Sequence, residues 1–392
     1  MVAETSPAPR RVLMTADTIG GVWTYALELA RALAAFEVQV VLATMGSPLS
    51  RSQRIEAEGI AKLSLHESQF ALEWMNNPWG DLDRASDWLL ELARSAEPDL
   101  IHLNGYVHGA LAWERPVLIV GHSCVLSWWR AVKGQPAPPA WDRYREAVTR
   151  GIQASDQVAA PSSALLASLK ELYGPLPPSR VIANGRDSQL FRPGLKQPYI
   201  LAAGRLWDEA KNLDLLAKVA PSLPWPIKIA GDNAPPDGSV HEFPAVQWLG
   251  RLSTAELSAH YRRASIYALP ARYEPFGLSA VEAALAGCAL VLGDVPSLRE
   301  VWDESALFVD PDNAENLKVT LQALIDQPCR RAELARRARE RALAYSPRRM
   351  AEAYVSLYQE LAAGAAPNRC RTSQQRQTSM GGPGAIYHRD HR

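Results

Sequence analysis

Short apolar runs alternate with amphipathic stretches along most of this chain. Residues 11–16 are apolar, a glycine turn follows at 17–21, residues 22–35 have helical spacing, and residues 38–43 are apolar again. The order strand, turn, helix, strand is typical of a βαβ unit, whose strands run parallel. Further apolar runs predict that this unit extends into an N-terminal parallel sheet; they lie at residues 100–103, 117–120, 157–160 and 181–183.

A second series of the same kind follows turn-forming segments at residues 184–187 and 192–194. Its apolar runs begin at Tyr199 and continue at residues 227–230, 246–249, 266–269, 289–292 and 307–309. Two doubly wound halves joined by a linker imply a cleft lined by strand ends and helix amino termini. We therefore predict an α/β protein of two Rossmann-like domains, at residues 1–190 and 195–345.

The end of the chain differs from the rest. Residues 346–362 have the pattern of a last helix, whereas residues 363–392 are poor in apolar side chains and rich in Gln, Ser, Gly and Arg. That composition predicts a disordered tail. The arginines of this tail could contact an anionic surface. The simpler interpretation is an extension without function.

Composition narrows the class of protein. The 392 residues are 47% hydrophobic and 21% charged, as in a globular protein, and the formal net charge of zero argues against a dedicated nucleic-acid binder. No apolar run has the length of a membrane span, and residues 1–11 lack the apolar core of a signal peptide. Four scattered cysteines suggest neither a metal site nor a disulfide framework. We expect a cytoplasmic protein, with peripheral membrane contact left open.

The candidate chemistry is concentrated in residues 272–282. Glu274 precedes a predicted helix over residues 278–285, and Glu282 lies inside that helix among apolar neighbours. The amides of Phe276, Gly277 and Leu278 lie at the helix start, where backbone N–H groups lack intrahelical partners and can hold a phosphate. A carboxylate is a good acceptor for sugar hydroxyls. The segment therefore suits a ligand with a sugar, a diphosphate and a ribose.

Carboxylates are poor neighbours for a phosphate, so cations are expected close by. Arg205 and Lys211 lie in the loop after the strand that begins the second series. An arginine there would present a planar fork, and a lysine a point charge. Both residues could also be ordinary surface charges, but their place after a buried strand favours a role in a site.

In order and spacing, Gly204-Arg205-Leu206, Lys211-Asn212 and the Glu274/Glu282 pair resemble the retaining GT-B glycosyltransferases of family 4. The resemblance covers about residues 11–361 and implies the GT-B fold, with the last helix crossing back to the N-terminal domain. It implies transfer of a sugar from a UDP-, GDP- or ADP-sugar to a hydroxyl acceptor, with retention of configuration and without a metal or other cofactor. Glu274 would orient the sugar and Glu282 the ribose, while Arg205 and Lys211 would stabilise the leaving diphosphate.

The same resemblance assigns roles to five further residues in three segments. Gly20 and Gly21 form the glycine-rich turn near the donor, although two glycines also make an ordinary tight turn. His122 follows a buried strand, where the family has an active-site histidine; a packed histidine is the alternative. Arg251 and Leu252 end another strand, where main-chain contacts to the nucleobase are expected.

Several alternatives stay open from the sequence. The segment Ser127-Trp-Trp-Arg130, with Trp141 beyond it, is either an acceptor platform or core packing. Asp81-Leu-Asp83 and Asp310-Pro-Asp312 could suggest a metal site, but a helix cap at Asp81 and a proline turn at Asp310 are simpler. The protein as a whole could be an epimerase of the same fold, or could bind a nucleotide-sugar without catalysis.

Overall fold

The computed structural model describes residues 9–233 and 245–376, with side chains as far as residue 364. Two parallel sheets dominate it, and each is enclosed by helices. Burial on both faces explains the continuous apolar strands of the sequence, because a strand in such a sheet has no face left for water. Five of the predicted strands have the predicted bounds, at residues 100–103, 117–120, 157–160, 227–230 and 307–309.

The N-terminal sheet has seven strands in the order β3-β2-β1-β4-β5-β6-β7. Their bounds are β1 Arg11–Asp17, β2 Gln39–Met45, β3 Leu63–Glu67, β4 Leu100–Leu103, β5 Val117–Val120, β6 Gln157–Ala160 and β7 Ser179–Val181. Six helices accompany them: α1 Gly21–Leu33, α2 Arg51–Glu58, α3 Trp79–Ala96, α4 Val125–Lys133, α5 Asp142–Ala154 and α6 Ser163–Tyr173. The apolar-run pattern missed β3, a half-buried edge strand that carries Ser64 and His66.

The C-terminal sheet has six strands in the order β10-β9-β8-β11-β12-β13. Their bounds are β8 Gln197–Ala203, β9 Ile227–Ala230, β10 Gln247–Trp248, β11 Ala264–Leu269, β12 Ala289–Gly293 and β13 Leu307–Val309. Its helices are α7 Leu213–Val219, α8 Thr254–Arg263, α9 Leu278–Leu285, α10 Pro296–Trp302, α11 Ala314–Asp326 and α12 Pro328–Ala342. The architecture is the GT-B fold expected from the sequence. The domain limits at 190 and 195 stay a prediction.

The last helix, α13 Pro347–Arg376, returns to the N-terminal domain. Met350, Tyr354, Leu357 and Tyr358 are fully buried there in one apolar cluster with α1. The helix is longer than the predicted 346–362, so the predicted tail is helical as far as Arg376, and residues 377–392 lie outside the described residues.

The chain passes between the domains twice, and the two passages touch. The Arg186 amide donates to the Tyr345 carbonyl at 2.9 Å, and the Gly185 amide contacts the Met350 sulfur at 3.2 Å. A side chain at Gly185 would meet the backbone of Ser346 and Pro347, which explains the glycine. Among the described residues, no helix has the length and apolar character needed to cross a membrane.

Candidate active site

A cavity of about 1970 Å³ lies between the two domains. Its walls include residues that follow β1, β4, β5, β8 and β11, because parallel strands present their carboxyl ends at one edge. The structure brings every site residue predicted from the sequence to this cavity: Gly20, Gly21, His122, Arg205, Lys211, Arg251, Leu252, Glu274, Phe276, Gly277, Leu278 and Glu282.

The two predicted cations lie at the carboxyl end of β8 and are each held by a carboxylate. Arg205 Nη2 donates to Asp208 Oδ2 at 2.8 Å, and Lys211 Nζ donates to Glu274 Oε2 at 2.6 Å. Burial opposes ionisation of Asp208, but Arg205 and Lys211 together lower the pKa of this carboxyl below its ordinary value. Asp208 was not singled out from the sequence. It orients Arg205 and keeps a negative charge between the two cations.

The amino terminus of α9 is prepared by a glycine and a carboxylate. Gly277 has φ +89°, a left-handed conformation that glycine adopts readily, and its amide donates to Glu274 Oε1 at 3.0 Å. The sequence suggested that the Gly277 amide is open to a phosphate; here Glu274 already occupies it. Glu274 therefore bridges the helix start and Lys211.

The glycine turn of the N-terminal domain faces these groups across the cavity. Gly20 has φ +87°, and a side-chain carbon added to it would lie 3.9 Å from Arg205 Nη1. A carbon added to Gly21 would lie 3.6 Å from Leu278 Cδ1. The turn thus lets backbone approach both the cation and the start of α9.

His122 lies half-buried beyond β5, with its Nε2 2.8 Å from Asn104 Oδ1. Asn104 Nδ2 donates to the Thr15 carbonyl at 2.7 Å, which orients the amide so that its oxygen accepts from the His122 ring. Burial lowers the pKa of His122 to about 3. The ring is therefore neutral near pH 7, with Nε2 protonated and Nδ1 as its acceptor.

Glu282 has a protein partner that the sequence did not reveal. Arg186, from the linker, forms ion pairs with Glu282 Oε1 at 2.8 Å and with Glu28 Oε2 at 2.6 Å. Burial raises the pKa of Glu282, and the Arg186 charge opposes that rise. In the sequence, Arg186 was only part of a turn signal, and nothing local relates it to residues 28 and 282.

Asp17, the last residue of β1, is a further residue of this cavity that sequence reasoning missed. Its Oδ1 accepts from the Ile19 amide at 2.6 Å. Burial raises its pKa to about 7, although that hydrogen bond and the nearby Arg205 oppose the rise. Its position at the carboxyl end of a buried strand is the signal that could have identified it.

The tryptophan segment has features of both interpretations, the acceptor platform and core packing. Trp128 and Trp129 on α4 are half-buried and line the cavity, and Trp128 Nε1 reaches Asp208 Oδ1 at 3.5 Å. Trp141 packs edge-on against buried Tyr144. The segment therefore both packs and borders the cleft.

The Asp-x-Asp segments have structural roles. Asp310 Oδ1 accepts from the Asp312 amide in the predicted turn. Asp81, by contrast, does not cap its helix: α3 begins at Trp79, and Asp81 Oδ2 accepts from the Ala71 amide at 2.8 Å. Among the described residues, no three His, Cys, Asp or Glu side chains are grouped so as to hold a metal ion.

Two family models match this chain, and together they cover well over half of it. The model for Glycosyltransferase Family 4 matches residues 19–190, and the model for glycosyl transferases group 1 matches residues 186–341. The two matches meet at the linker between the domains.

Curated relatives carry the names of glycosyltransferases. Glycogen synthase from Mycobacterium tuberculosis is 29% identical over 63% of this chain, and the match spans 65% of its own length. D-inositol 3-phosphate glycosyltransferase from Kineococcus radiotolerans is 26% identical, over 86% of this chain and 90% of the relative.

Solved structures share the fold at low identity. Sucrose-phosphate synthase from Thermosynechococcus elongatus has a TM-score of 0.77 at 20% identity, over 91% of this chain and all of the other. HepE from Anabaena, in complex with UDP-glucose, has a TM-score of 0.69 at 17% identity, over 91% of this chain and 99% of that one. With the two family matches and this common architecture, the chain belongs to the group 1 glycosyl transferases of family 4, with the GT-B fold.

Proposed function

We propose that this protein transfers a sugar from a nucleoside-diphosphate sugar to a hydroxyl acceptor. The observation that carries the proposal is the convergence of Arg205, Lys211, the start of α9 and the glycine turn on one cavity. When the bond to the sugar breaks, negative charge develops on the departing diphosphate. Fixed cations and backbone amides aimed at that charge lower the barrier.

The remaining residues take roles by position. Glu274 accepts hydrogen bonds from the sugar hydroxyls, and neutral His122 offers Nδ1 to the same sugar. Glu282 receives the ribose hydroxyls, and the main chain at Arg251 and Leu252 faces the nucleobase. The names of the relatives support the proposed reaction, but not the role of any single residue: glycogen synthase and D-inositol 3-phosphate glycosyltransferase are sugar-transferring enzymes, and HepE binds UDP-glucose.

The reaction retains anomeric configuration and uses no metal. Arg205 and Lys211 supply the positive charge that a metal would otherwise bring to the diphosphate. The hydroxyl oxygen of the acceptor attacks the anomeric carbon, and a phosphate oxygen of the donor takes the proton that this hydroxyl loses. Two carboxylates placed across a glycosidic bond as acid and nucleophile are not part of this scheme.

The acceptor enters from the N-terminal wall. Trp74, Trp128 and Trp129 line this side of the cavity, and aromatic faces pack well against sugar rings. We therefore propose a saccharide or another polyol as the acceptor, without assigning its identity.

The first test is a panel of UDP-, GDP- and ADP-glucose, with binding followed by thermal shift and calorimetry. One of them should raise the unfolding temperature and should release its nucleoside diphosphate when saccharide acceptors are added. Product analysis by mass spectrometry and NMR then reports the configuration of the new bond, and rates in EDTA should match those without it.

Each alternative gives a different result. An epimerase would convert the donor sugar with no acceptor present, and a binding protein would bind the donor without consuming it. Binding of none of the three donors would contradict the proposal, as would inversion at the anomeric carbon or loss of activity in EDTA.

A further inference from the structure

A chain of alternating charges runs from the surface to the buried wall of the cavity. Arg31 pairs with Glu28 at 3.3 Å, Glu28 with Arg186 at 2.6 Å, and Arg186 with Glu282 at 2.8 Å. The side chain of Arg31 is 45% exposed, whereas those of Glu28, Arg186 and Glu282 are 2%, 6% and 10% exposed. Three of the four ions are thus removed from water.

Stability alone is a poor explanation for such a cluster. Taking ions out of water costs several kcal/mol each, and well-packed apolar residues often replace a buried ion pair without loss. Burial opposes the charge on Arg186, but Glu282 and Glu28 raise the pKa of its guanidinium above the ordinary value. Arg186 is therefore held charged by carboxylates from both domains.

The two carboxylates belong to helices that begin at the same cavity. Glu28 lies on α1, which starts at Gly21 beside the glycine turn, and Glu282 lies on α9, which starts at Leu278. Arg186 thus connects the two helices whose amino termini face the diphosphate site. Its own backbone is fixed by the Tyr345 carbonyl, and its guanidinium lies over the Phe191 ring, 5.0 Å from the ring centre.

The ion pair with Arg186 leaves the Glu282 carboxylate able to accept further hydrogen bonds. Within the described part of the chain, Arg186 Nε approaches Glu282 Oε1 without the alignment of a hydrogen bond. An ionised carboxylate accepts at about four lone-pair positions, so one lateral cation does not saturate it. Glu282 lines the cavity and keeps acceptor capacity for a pair of hydroxyls.

We propose that Arg186 is a positioning residue, which orients the Glu282 carboxylate for the ribose of the donor and ties it through Glu28 to α1. This inference rests on the proposed function, because it takes Glu282 to be the ribose acceptor. Arg186 does not touch the reacting atoms. It determines how strongly the site distinguishes a nucleotide with ribose hydroxyls from one without them.

The test compares ribose and 2′,3′-dideoxyribose forms of UDP, GDP and ADP by calorimetry. Wild type should bind the ribose form of its preferred diphosphate about 10- to 100-fold more tightly than the dideoxy form, the range for hydrogen bonds to a charged group. In Arg186→Gln that preference should fall to a few-fold, while affinity for the dideoxy form changes little. Arg186→Lys, which keeps the charge, should restore part of the preference.

Arg180→Gln is the matched control, because Arg180 forms a two-bond ion pair with Glu360 on the surface of the same domain. It should leave the ribose preference unchanged. Should Arg186→Gln not fold, Glu28→Gln removes the outer anchor of Arg186 and should reduce the same preference by a smaller factor.

The outcomes separate this inference from the proposed function. A ribose preference that persists in a folded Arg186→Gln protein overturns the role of Arg186 and leaves the donor site intact. If Arg186→Gln does not fold, an unchanged preference in Glu28→Gln overturns that role instead. If the wild type binds none of UDP, GDP and ADP, both the role of Arg186 and the proposed function are overturned.

Discussion

At the residue scale, Lys211 shows how one charge can serve both the resting site and the reaction. It is paired with Glu274 at 2.6 Å, and it lies beside the start of α9. An arriving diphosphate would compete with Glu274 for this ammonium group. In the ground state, Lys211 gains little by exchanging Glu274 for the diphosphate. It stabilises the diphosphate more as negative charge develops on the leaving group.

Lys211→Ala should therefore reduce turnover about 100- to 1000-fold, the usual loss when one fixed donor to a developing anion is removed. The loss of stability should be much smaller than the loss of turnover, because Glu274 loses the ammonium group but keeps its hydrogen bond from the Gly277 amide. Lys318→Ala is the control, since Lys318 pairs with exposed Glu315 on α11 and neither residue lines the cavity. Equal rates in wild type and Lys211→Ala would show that the diphosphate is held elsewhere.

Asp17 gives a prediction about pH. Its folded-state pKa, raised by burial, is about 7 against an ordinary 3.8. A carboxyl whose pKa is raised by folding costs stability as it ionises, so the cost appears between about pH 4 and pH 7 and is complete above that. Asp17→Asn should thus be more stable than wild type near pH 8, on the order of 1 kcal/mol after solvent screening, and equal to it near pH 4.

The measurement is urea unfolding of both proteins across this range. The side-chain amide of the Asp17→Asn variant would keep an oxygen for the Ile19 amide, so the comparison isolates the charge. A stability difference that does not vary with pH would contradict the assigned pKa.

At the element scale, the strands were predicted better than the contacts between distant elements. Buried parallel strands such as β4, β5 and β6 produce short apolar runs, and the first and last residues of these runs are clear from the sequence. Strand β3 lies at a sheet edge and is half-buried. Because it contains polar residues, it does not produce a continuous apolar run and was not predicted. The Arg186 pairs depend on three segments meeting in space, which no local pattern encodes.

Helix α9 gives a test of how backbone geometry serves the site. Gly277→Ala should lose about 1–2 kcal/mol of unfolding free energy from its left-handed backbone alone. It should lose more from the new contact with Leu298 Cδ2 at 3.2 Å. Donor affinity should fall as well, because the shift displaces Glu274 and the helix start.

Gly134→Ala is the matched control for this prediction. Gly134 has φ +65° at the end of α4, and no atom lies within 4 Å of an added carbon. It should show the backbone cost with unchanged donor binding, as measured by urea unfolding and calorimetry. Equal donor affinity in Gly277→Ala and wild type would exclude the start of α9 from the site.

At the scale of the whole molecule, polar contacts hold the two domains together across the cleft. Glu300 on α10 accepts from the Ser163 and Ala164 amides at 2.8 and 3.0 Å, so one domain caps helix α6 of the other. Ser162 Oγ donates to the Pro275 carbonyl at 2.8 Å, and Tyr273 Oη lies 2.7 Å from Ser127 Oγ.

Glu300→Ala should weaken the contact between the two domains by about 1 kcal/mol, the typical value of a helix cap. Small-angle X-ray scattering without ligand should give a larger radius of gyration than wild type, and a bound donor should reduce the difference. Exposed Glu304→Ala serves as the control. The same radius in Glu300→Ala and wild type would show that other contacts set the spacing of the domains.

The return of α13 has a consequence for the order in which the protein matures. Tyr354, Leu357, Tyr358 and Leu361 belong to the apolar cluster that covers β1 and β2, although they lie near the other end of the chain. During synthesis on the ribosome, the apolar surface of α1 that packs against α13 stays uncovered until residues 350–361 have emerged from the exit tunnel. The half translated first is therefore completed last, and a nascent chain cut before α13 would expose apolar surface to chaperones and proteases.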